Sequence, residues 1–210
     1  MKNRGFLITL EGGEGGGKTT QIARLREKLT TLKQEVVLLR EPGGTVISEQ
    51  IRDVVLATKN VGMVFTSEVL LFQAARAQTY HEIVLPALEA GKIVVMDRSS
   101  DSSVVYQGMV RGFGKEIINQ LNELSTKRTS PDLTLLLDLP VDIGLRRRHQ
   151  AGDINRLDTE AKDFHEQVRQ AYLSLAQENQ NNRWRVIDAS KSLEEVEEAI
   201  WQEVKKVLAL

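Results

Sequence analysis

The stretch Gly12-Gly13-Glu14-Gly15-Gly16-Gly17-Lys18-Thr19 decides the fold of this chain of 210 residues. It matches the pattern G-x-x-x-x-G-K-[ST], in which a glycine-rich loop surrounds phosphate groups with backbone N–H groups. The apolar residues 6–10 directly before it predict a buried strand, and the helical spacing of apolar residues between 22 and 32 predicts a helix after it. This order of strand, loop and helix predicts that the loop, together with Thr20, binds a nucleoside triphosphate.

Each residue type in this phosphate loop (residues 12–19) has a physical reason to be there. Glycines let the backbone approach a phosphate closely and adopt positive φ angles. The N–H groups then lie at the positive end of a helix, which favours anions. In this pattern Lys18 reaches the β- and γ-phosphates of the nucleotide, and the Thr19 hydroxyl binds Mg²⁺. The loop alone does not separate a kinase from a GTPase or an ATPase.

The composition excludes several other classes of protein. Lys plus Arg number 28 and Asp plus Glu number 29, so nothing indicates a general nucleic-acid binder, which is usually strongly basic. The chain has no cysteine, which excludes disulfides and thiolate metal sites. The apolar run after the basic start is too short for a signal peptide, and no run is long enough for a membrane span. We therefore expect a soluble cytoplasmic protein.

Apolar runs alternate with helical patterns along the whole chain, which predicts an α/β fold in a single domain, residues 1–210. Five runs predict the strands of a parallel sheet flanked by helices. They lie at 6–10, 35–39, 92–96, 133–138 and 185–188. The helical patterns begin after the phosphate loop and continue at 46–57, 67–90, 114–128, from about 141, at about 159–180, and after an N-capping Ser192.

Charged residues stand where the predicted strands end, and parallel sheets bind their ligands beyond the carboxyl ends of the strands. These residues are Glu11, Arg40, Asp97, Arg98, Asp138 and Asp188. Asp97, Asp138 and Glu14 are three alternatives for the acid that organises Mg²⁺. Arg98 is placed to bind an acceptor phosphate with two parallel hydrogen bonds. A further arginine cluster, Arg146, Arg147, Arg148 and Arg156, predicts a flap that closes over the reacting phosphates.

Several longer motifs carry a resemblance to one family. They are Arg40-Glu41-Pro42-Gly43-Gly44-Thr45, residues 68–78 (EVLLFQAARAQ), Asp97-Arg98 followed by Ser102-Ser103 and Tyr106-Gln107-Gly108, and residues 131–138 (PDLTLLLD). In order and spacing this series resembles bacterial thymidylate kinases, from residue 6 nearly to the C-terminus.

The resemblance implies a P-loop NTPase fold with five parallel strands in the order 2-3-1-4-5 and a short lid at about 146–158. It implies transfer of the γ-phosphoryl group of ATP to dTMP, giving dTDP and ADP for dTTP synthesis, with Mg²⁺. It also implies a homodimer whose partners are small nucleotides rather than nucleic acid or membrane.

The resemblance also implies roles for individual residues. Phe72 stacks on thymine, Arg76 bonds a base carbonyl, and Ser103 with Gln107 faces the pyrimidine edge. Tyr106 lies under the deoxyribose. The acceptor phosphate is bound by Arg98, with Glu41, Arg52 and Ser102 nearby.

The implied catalytic residues are Lys18 and Arg98. Lid arginines act with them, because the phosphate loop itself has glycine where some relatives have arginine. Arg147 and Arg156 both fit the lid position, and the choice between them stays open. The implied metal-side residues are Thr19, Glu14 and Asp97.

Two alternatives stay open at this point. One is a different nucleotide or deoxynucleoside kinase with the same fold. The other is a regulatory GTPase, although the chain lacks the N-K-x-D tetrapeptide that reads guanine.

Overall fold

The structure is a computed structural model that describes residues 4–152, 155–179 and 183–210. Its centre is one parallel sheet of five strands in the order β2-β3-β1-β4-β5, which confirms the order expected above. The strands are β1 (Leu7–Glu11), β2 (Val36–Arg40), β3 (Ile93–Asp97), β4 (Leu133–Asp138) and β5 (Trp184–Asp188).

The three central strands are almost wholly buried because helices cover both faces of the sheet. Side chains alternate between the faces along each strand. In β1, Ile8 and Leu10 pack in the core cluster under the first and last helices, whereas Leu7 packs in a separate cluster on the other face. The central strands are continuous apolar runs in the sequence because helices cover both faces of the sheet.

Apart from a short helix at 100–103, which was not predicted, the helices lie close to their predicted positions. They are α1 (Lys18–Thr31), α2 (Val46–Val55), α3 (Phe65–Thr79), α4 (Leu85–Glu89), α5 (Ser100–Ser103), α6 (Lys115–Ser125), α7 (Val141–Ala151), α8 (Lys162–Glu178) and α9 (Leu193–Leu208), with a short 3-10 turn at Thr58–Asn60. Ser192 caps α9 as predicted: its side chain accepts from the Glu195 N–H, and the Glu195 carboxylate accepts in return.

The helix predicted at 67–90 is interrupted. A π-helical segment, Tyr80–Val84, joins α3 to α4. A second π-helical segment, Val104–Val110, continues α5 and was not predicted, because its apolar residues show no helical period that sequence reasoning could use. π-Helical turns are rare and are frequent at functional sites.

Parts of three sequence predictions lie outside the described residues. These parts are residues 1–3 of the basic start, residues 153 and 154 of the predicted lid, and the last residue of the helix predicted at 159–180. Within the ranges that are described, no helix has both the length and the apolar character needed to cross a membrane.

Candidate active site

A cavity of about 940 Å³ opens at the carboxyl edge of the sheet. It extends from the phosphate loop to α3 and the π-helical segment Val104–Val110, and it collects most of the residues singled out in the sequence. Those lining it are Glu14, Gly15, Gly16, Gly17, Lys18, Thr19, Thr20, Glu41, Arg52, Phe72, Arg76, Asp97, Arg98, Ser102, Ser103, Tyr106, Gln107 and Arg147. Of the predicted site residues, Gly12, Gly13 and Arg156 do not line it, and neither do the further candidates Glu11, Asp138, Arg146 and Asp188.

The phosphate loop runs directly into α1. Gly17 is the N-cap of α1 at φ +81°, a left-handed conformation that favours glycine. The Lys18 ammonium donates to the Gly13 and Gly12 carbonyls, at 2.8 and 3.1 Å. Burial lowers the pKa of Lys18, and the nearby Arg98 guanidinium lowers it further, whereas the Glu14 and Asp97 carboxylates oppose the shift. These hydrogen bonds place the Lys18 ammonium beside the phosphate loop, at the end of a flexible side chain.

Helix α7 packs against the phosphate loop through two facing glycines. A Cβ added at Gly15 would meet the Gly144 carbonyl oxygen at 2.1 Å, and one added at Gly144 would meet the Glu14 carbonyl oxygen at 2.3 Å. Both separations are shorter than real Cβ contacts allow, so the two backbones touch with no space for any side chain. Sequence reasoning missed Gly144, although a glycine inside a helical pattern costs about 1 kcal/mol relative to alanine and so indicates a packing reason.

We expect Gly144→Ala to raise KM for the donor nucleotide and to lower kcat. The new methyl group displaces either the Glu14 carbonyl or α7, and both changes deform the loop that holds the phosphates. Steady-state kinetics with the donor varied measures the effect. Gly62→Ala is the matched control, because Gly62 has open space around its Cβ direction. Unchanged kinetics in Gly144→Ala would show that this contact does not set the loop geometry.

Arg98 lies between the phosphate loop and the far half of the cavity. Its Nη2 donates to Glu14 Oε1 at 2.6 Å, and its Nη1 donates to the Tyr172 hydroxyl at 3.2 Å. Its backbone has φ +67°, uncommon for a residue with a side chain and typical of functional positions. Although burial alone would raise the pKa of Glu14, the charges of Arg98 and Lys18 lower it to about 2. Glu14 is thus the ion-pair partner of Arg98, and its place among the three alternatives for the metal-side acid stays a prediction.

Glu11, the last residue of β1, organises the segment behind Arg98. It is fully buried and accepts from the Ser99 N–H at 2.8 Å, from the Ser102 hydroxyl at 2.6 Å and from the Tyr172 hydroxyl at 2.8 Å. Burial and the charge of Asp101 raise the pKa of Glu11 to about 7, against the opposing effect of these hydroxyl hydrogen bonds and of Arg98. The carboxylate therefore ties the end of β1 to the segment after β3 that carries Arg98.

The three alternatives for the metal-organising acid differ in their surroundings. Asp97 Oδ2 accepts from the Thr19 hydroxyl at 2.9 Å, beside the phosphate loop. Asp138 is held by Arg169, whose Nε and Nη2 donate to its two carboxylate oxygens at 2.8 and 2.9 Å, and it does not line the cavity. With Glu14 paired to Arg98, Asp97 is the acid that the geometry favours.

The far half of the cavity is built around a buried arginine. The Arg76 guanidinium forms an ion pair with Glu41 at 2.7 Å and donates to Asn122 Oδ1 at 2.8 Å. Its Nη2 also donates to the Ser99 carbonyl and to the Ser103 hydroxyl, both at 3.1 Å. Arg76 is only 1% exposed, so it holds the wall of the cavity as well as facing it.

The lid arginines separate into two groups. Arg147 and Arg148 line the cavity, and Arg148 is ion-paired with Asp158 at 2.7 Å. They follow Gly144 by three and four residues, so they lie on the helix face that touches the phosphate loop. Arg156 instead donates to the Val55 carbonyl at 3.1 Å and to a buried carboxylate of α3. The expectation that Arg156 lies at the reacting phosphates is therefore not met in this conformation, because a buried ion pair holds it elsewhere.

The sheet order and the phosphate loop, with a cleft that extends beyond them to α3, define a protein of the P-loop NTPase class. Three comparisons identify the family. A family model described as thymidylate kinase matches residues 10–200. A thymidylate kinase from Latilactobacillus sakei subsp. sakei (strain 23K) is 48% identical over 198 residues, with 91% of each chain covered. The crystal structure of thymidylate kinase from Ehrlichia chaffeensis superposes with a TM-score of 0.79 at 31% identity, covering 96% of this chain and 99% of that one. The chain belongs to the thymidylate kinase family.

Proposed function

We propose that this thymidylate kinase uses ATP as its donor, and that the cavity holds ATP and dTMP end to end. The observation that carries the proposal is the continuity of the cavity, which joins the phosphate loop to the wall formed by α3 and the π-helical segment Val104–Val110. Transfer between two nucleotides requires both phosphates in one water-poor space, because positioning and electrostatics supply most of the catalysis in phosphoryl transfer.

On the donor side, the loop N–H groups and Lys18 bind the β- and γ-phosphates. Thr19 and Asp97 would hold Mg²⁺, because a hydroxyl and a carboxylate 2.9 Å apart are the hard oxygen ligands that this ion prefers. When bound, the ion neutralises charge on the phosphate oxygens. Arg147 and Arg148, brought to the cavity by α7, supply further positive charge in a lid that we place at 146–158.

On the acceptor side, Arg98 binds the dTMP phosphate with its planar fork. Its contacts with Glu14 and Tyr172 orient that fork between the loop and the acceptor pocket. Phe72 and Tyr106 line the pocket, where one ring would stack on the base and the other would lie under the sugar. A ribose 2′-hydroxyl would meet Tyr106, so we expect the enzyme to prefer deoxynucleotides.

A panel of acceptors tests this assignment. With ATP as donor, we expect dTMP to give the highest kcat/KM, dUMP a lower value, and dCMP and dGMP far lower values, because a base that mismatches directed hydrogen bonds leaves buried partners unpaired. Preference for any acceptor other than dTMP would refute the pocket assignment. Tight GDP binding without acceptor-dependent turnover would instead support the GTPase alternative.

We also propose that the enzyme is a homodimer that works in the cytoplasm, with the chain acting as one domain. Large apolar side chains, each at least 47% exposed, lie on the three neighbouring helices α2, α3 and α6. They are Val46, Ile47, Val54, Phe65, Leu70, Ile117 and Leu124. A surface of this kind on an otherwise charged protein is typical of an interface, and a second copy presents the same face.

The proposed location follows from the substrates. Phosphorylated nucleotides do not cross bilayers, so they are held in the cytoplasm.

We expect Leu124→Glu to shift the enzyme from dimer to monomer, because it places a charge within an apolar interface. Leu124 is 78% exposed, so the fold tolerates the change. Light scattering coupled to size-exclusion chromatography measures the mass. Val186→Glu, at a 52% exposed position on β5, is the control and should leave the dimer intact. A wild-type enzyme that is monomeric at all concentrations would contradict the proposal.

A further inference from the structure

A buried carboxylate, Glu68 on α3, holds two residues of the site at once. Its side chain is 1% exposed. Oε1 accepts from Gln107 Nε2 at 2.9 Å, and Oε2 accepts from Arg156 Nη2 at 2.5 Å. Glu68 does not line the cavity, although Phe72, one helical turn further along α3, and Gln107 both do. It can therefore affect the reaction only through the residues that it holds.

Two guanidinium groups surround this carboxylate. Arg156 forms the ion pair, and Arg111 Nε lies 3.9 Å from Glu68 Oε1. The Arg111 guanidinium is itself fixed between the Phe65 and Phe164 rings, at 4.5 and 4.7 Å from their centres. As the anionic member of these pairs, Glu68 offers only hydrogen-bond acceptors.

This fixes the orientation of the Gln107 amide. A glutamine amide has a donor end and an acceptor end of nearly equal size, and rotation by half a turn exchanges them. An acceptor-only partner at 2.9 Å requires the NH₂ end to face Glu68. The carbonyl oxygen is then the end of the amide left for another partner, and Gln107 lines the cavity.

We propose that Glu68 is a positioning residue for base selection, which acts by holding the Gln107 carbonyl toward the acceptor base. A carbonyl oxygen accepts from the N3–H of thymine. It repels cytosine, whose N3 carries a lone pair instead of a hydrogen. A free glutamine would serve both bases by rotating its amide, so the specificity lies in the Glu68–Gln107 pair and not in Gln107 alone. This inference rests on the proposed placement of the acceptor base beside Gln107.

The test is the ratio of kcat/KM for dTMP to kcat/KM for dCMP. In Glu68→Gln, the new amide can donate to Gln107 as well as accept from it, so the Gln107 amide is free to rotate. We expect the ratio to fall at least about tenfold, the scale of one unmatched buried hydrogen bond. Glu197→Gln removes a carboxylate that pairs with Arg24 and Lys28, and none of these three residues lines the cavity, so it should leave the ratio unchanged.

A double-mutant cycle shows whether Glu68 acts through Gln107. In a Gln107→Leu background, Glu68→Gln should produce no further change in the ratio. A purely structural role would instead lower the activity toward both acceptors equally, and an unchanged ratio in Glu68→Gln overturns the proposal.

A measurement on the wild type needs no variant that might misfold. N3-methyl-dTMP keeps both carbonyls of thymine and carries a methyl group in place of the N3–H, so it cannot donate to the Gln107 carbonyl and the wild-type enzyme should use it poorly. Equal use of N3-methyl-dTMP and dTMP overturns the proposal. A wild-type enzyme that prefers an acceptor other than dTMP would contradict the pocket assignment itself, a result distinct from either of these.

Discussion

Replacing Lys18 with alanine should lower kcat by about 10²–10³-fold or more, the range found when one preorganised donor to a transition state is removed. Charge develops on the oxygens around the transferred phosphoryl group, and the Lys18 ammonium is the cation held at the phosphate loop itself. It now donates to the Gly12 and Gly13 carbonyls. Rotation about the bonds of its four-carbon side chain would bring the ammonium to a phosphate bound by the same loop.

The fold should survive this change. Lys18 is the first residue of α1 and donates two hydrogen bonds to loop carbonyls, and alanine keeps the helix because it has the highest helix propensity. Lys28→Ala, on the same helix but paired with Glu197, is the matched control for the loss of one ammonium. Circular dichroism and thermal melting check the fold, and rapid-quench kinetics measures the chemical step. Turnover close to that of the wild type would show that Lys18 does not serve the phosphates.

Replacing Arg98 with alanine should lower kcat/KM for dTMP by about 10²-fold or more while leaving the affinity for ATP nearly unchanged. The lost interaction is a charge-assisted bidentate contact with the acceptor phosphate, which is stronger and more directional than a single hydrogen bond. Arg98→Lys should recover only part of the loss, because a lysine ammonium keeps the charge without the fork.

Arg98 also neutralises Glu14, so the variant needs a structural control. The Arg98 and Glu14 side chains are 16% and 19% exposed. Removing the guanidinium from a pair this buried leaves the Glu14 carboxylate without its partner. We therefore expect a lower melting temperature in Arg98→Ala. The double variant Arg98→Ala with Glu14→Gln should melt closer to the wild type and still lose dTMP use. An equal loss of affinity for both nucleotides would place Arg98 on the donor side.

Much of the architecture follows from short stretches of the chain. The strand at 133–138 and the helix after Ser192 have the predicted positions, because burial on both faces of a sheet and the capping of a helix start each leave a local pattern. The phosphate loop could equally be predicted from the sequence, because its glycines, lysine and threonine are adjacent in the chain. The sheet order came from the family resemblance instead, because the residues alone indicate parallel strands and not their order.

The site could be predicted less completely. Sequence reasoning offered Glu14 as one of three acids beside the metal and Arg156 as one of two lid arginines at the phosphates. In the structure Glu14 pairs with Arg98, 84 residues away, and Arg156 pairs with Glu68, 88 residues away. Glu68 itself was seen only as part of a family motif. A buried carboxylate binds whichever guanidinium the folded chain brings within reach, and no spacing along the sequence encodes that choice.

The sequence by itself determined the phosphate loop, the strands and helices and their parallel arrangement, because glycine, periodicity and capping act over a few residues. Only the tertiary structure decided which charges neutralise one another, which acid stands beside Thr19, and that Gly144 must be a glycine to touch Gly15. The physical reason is one of range: backbone preferences are settled by near neighbours, whereas ion pairs and close packing depend on where distant segments meet.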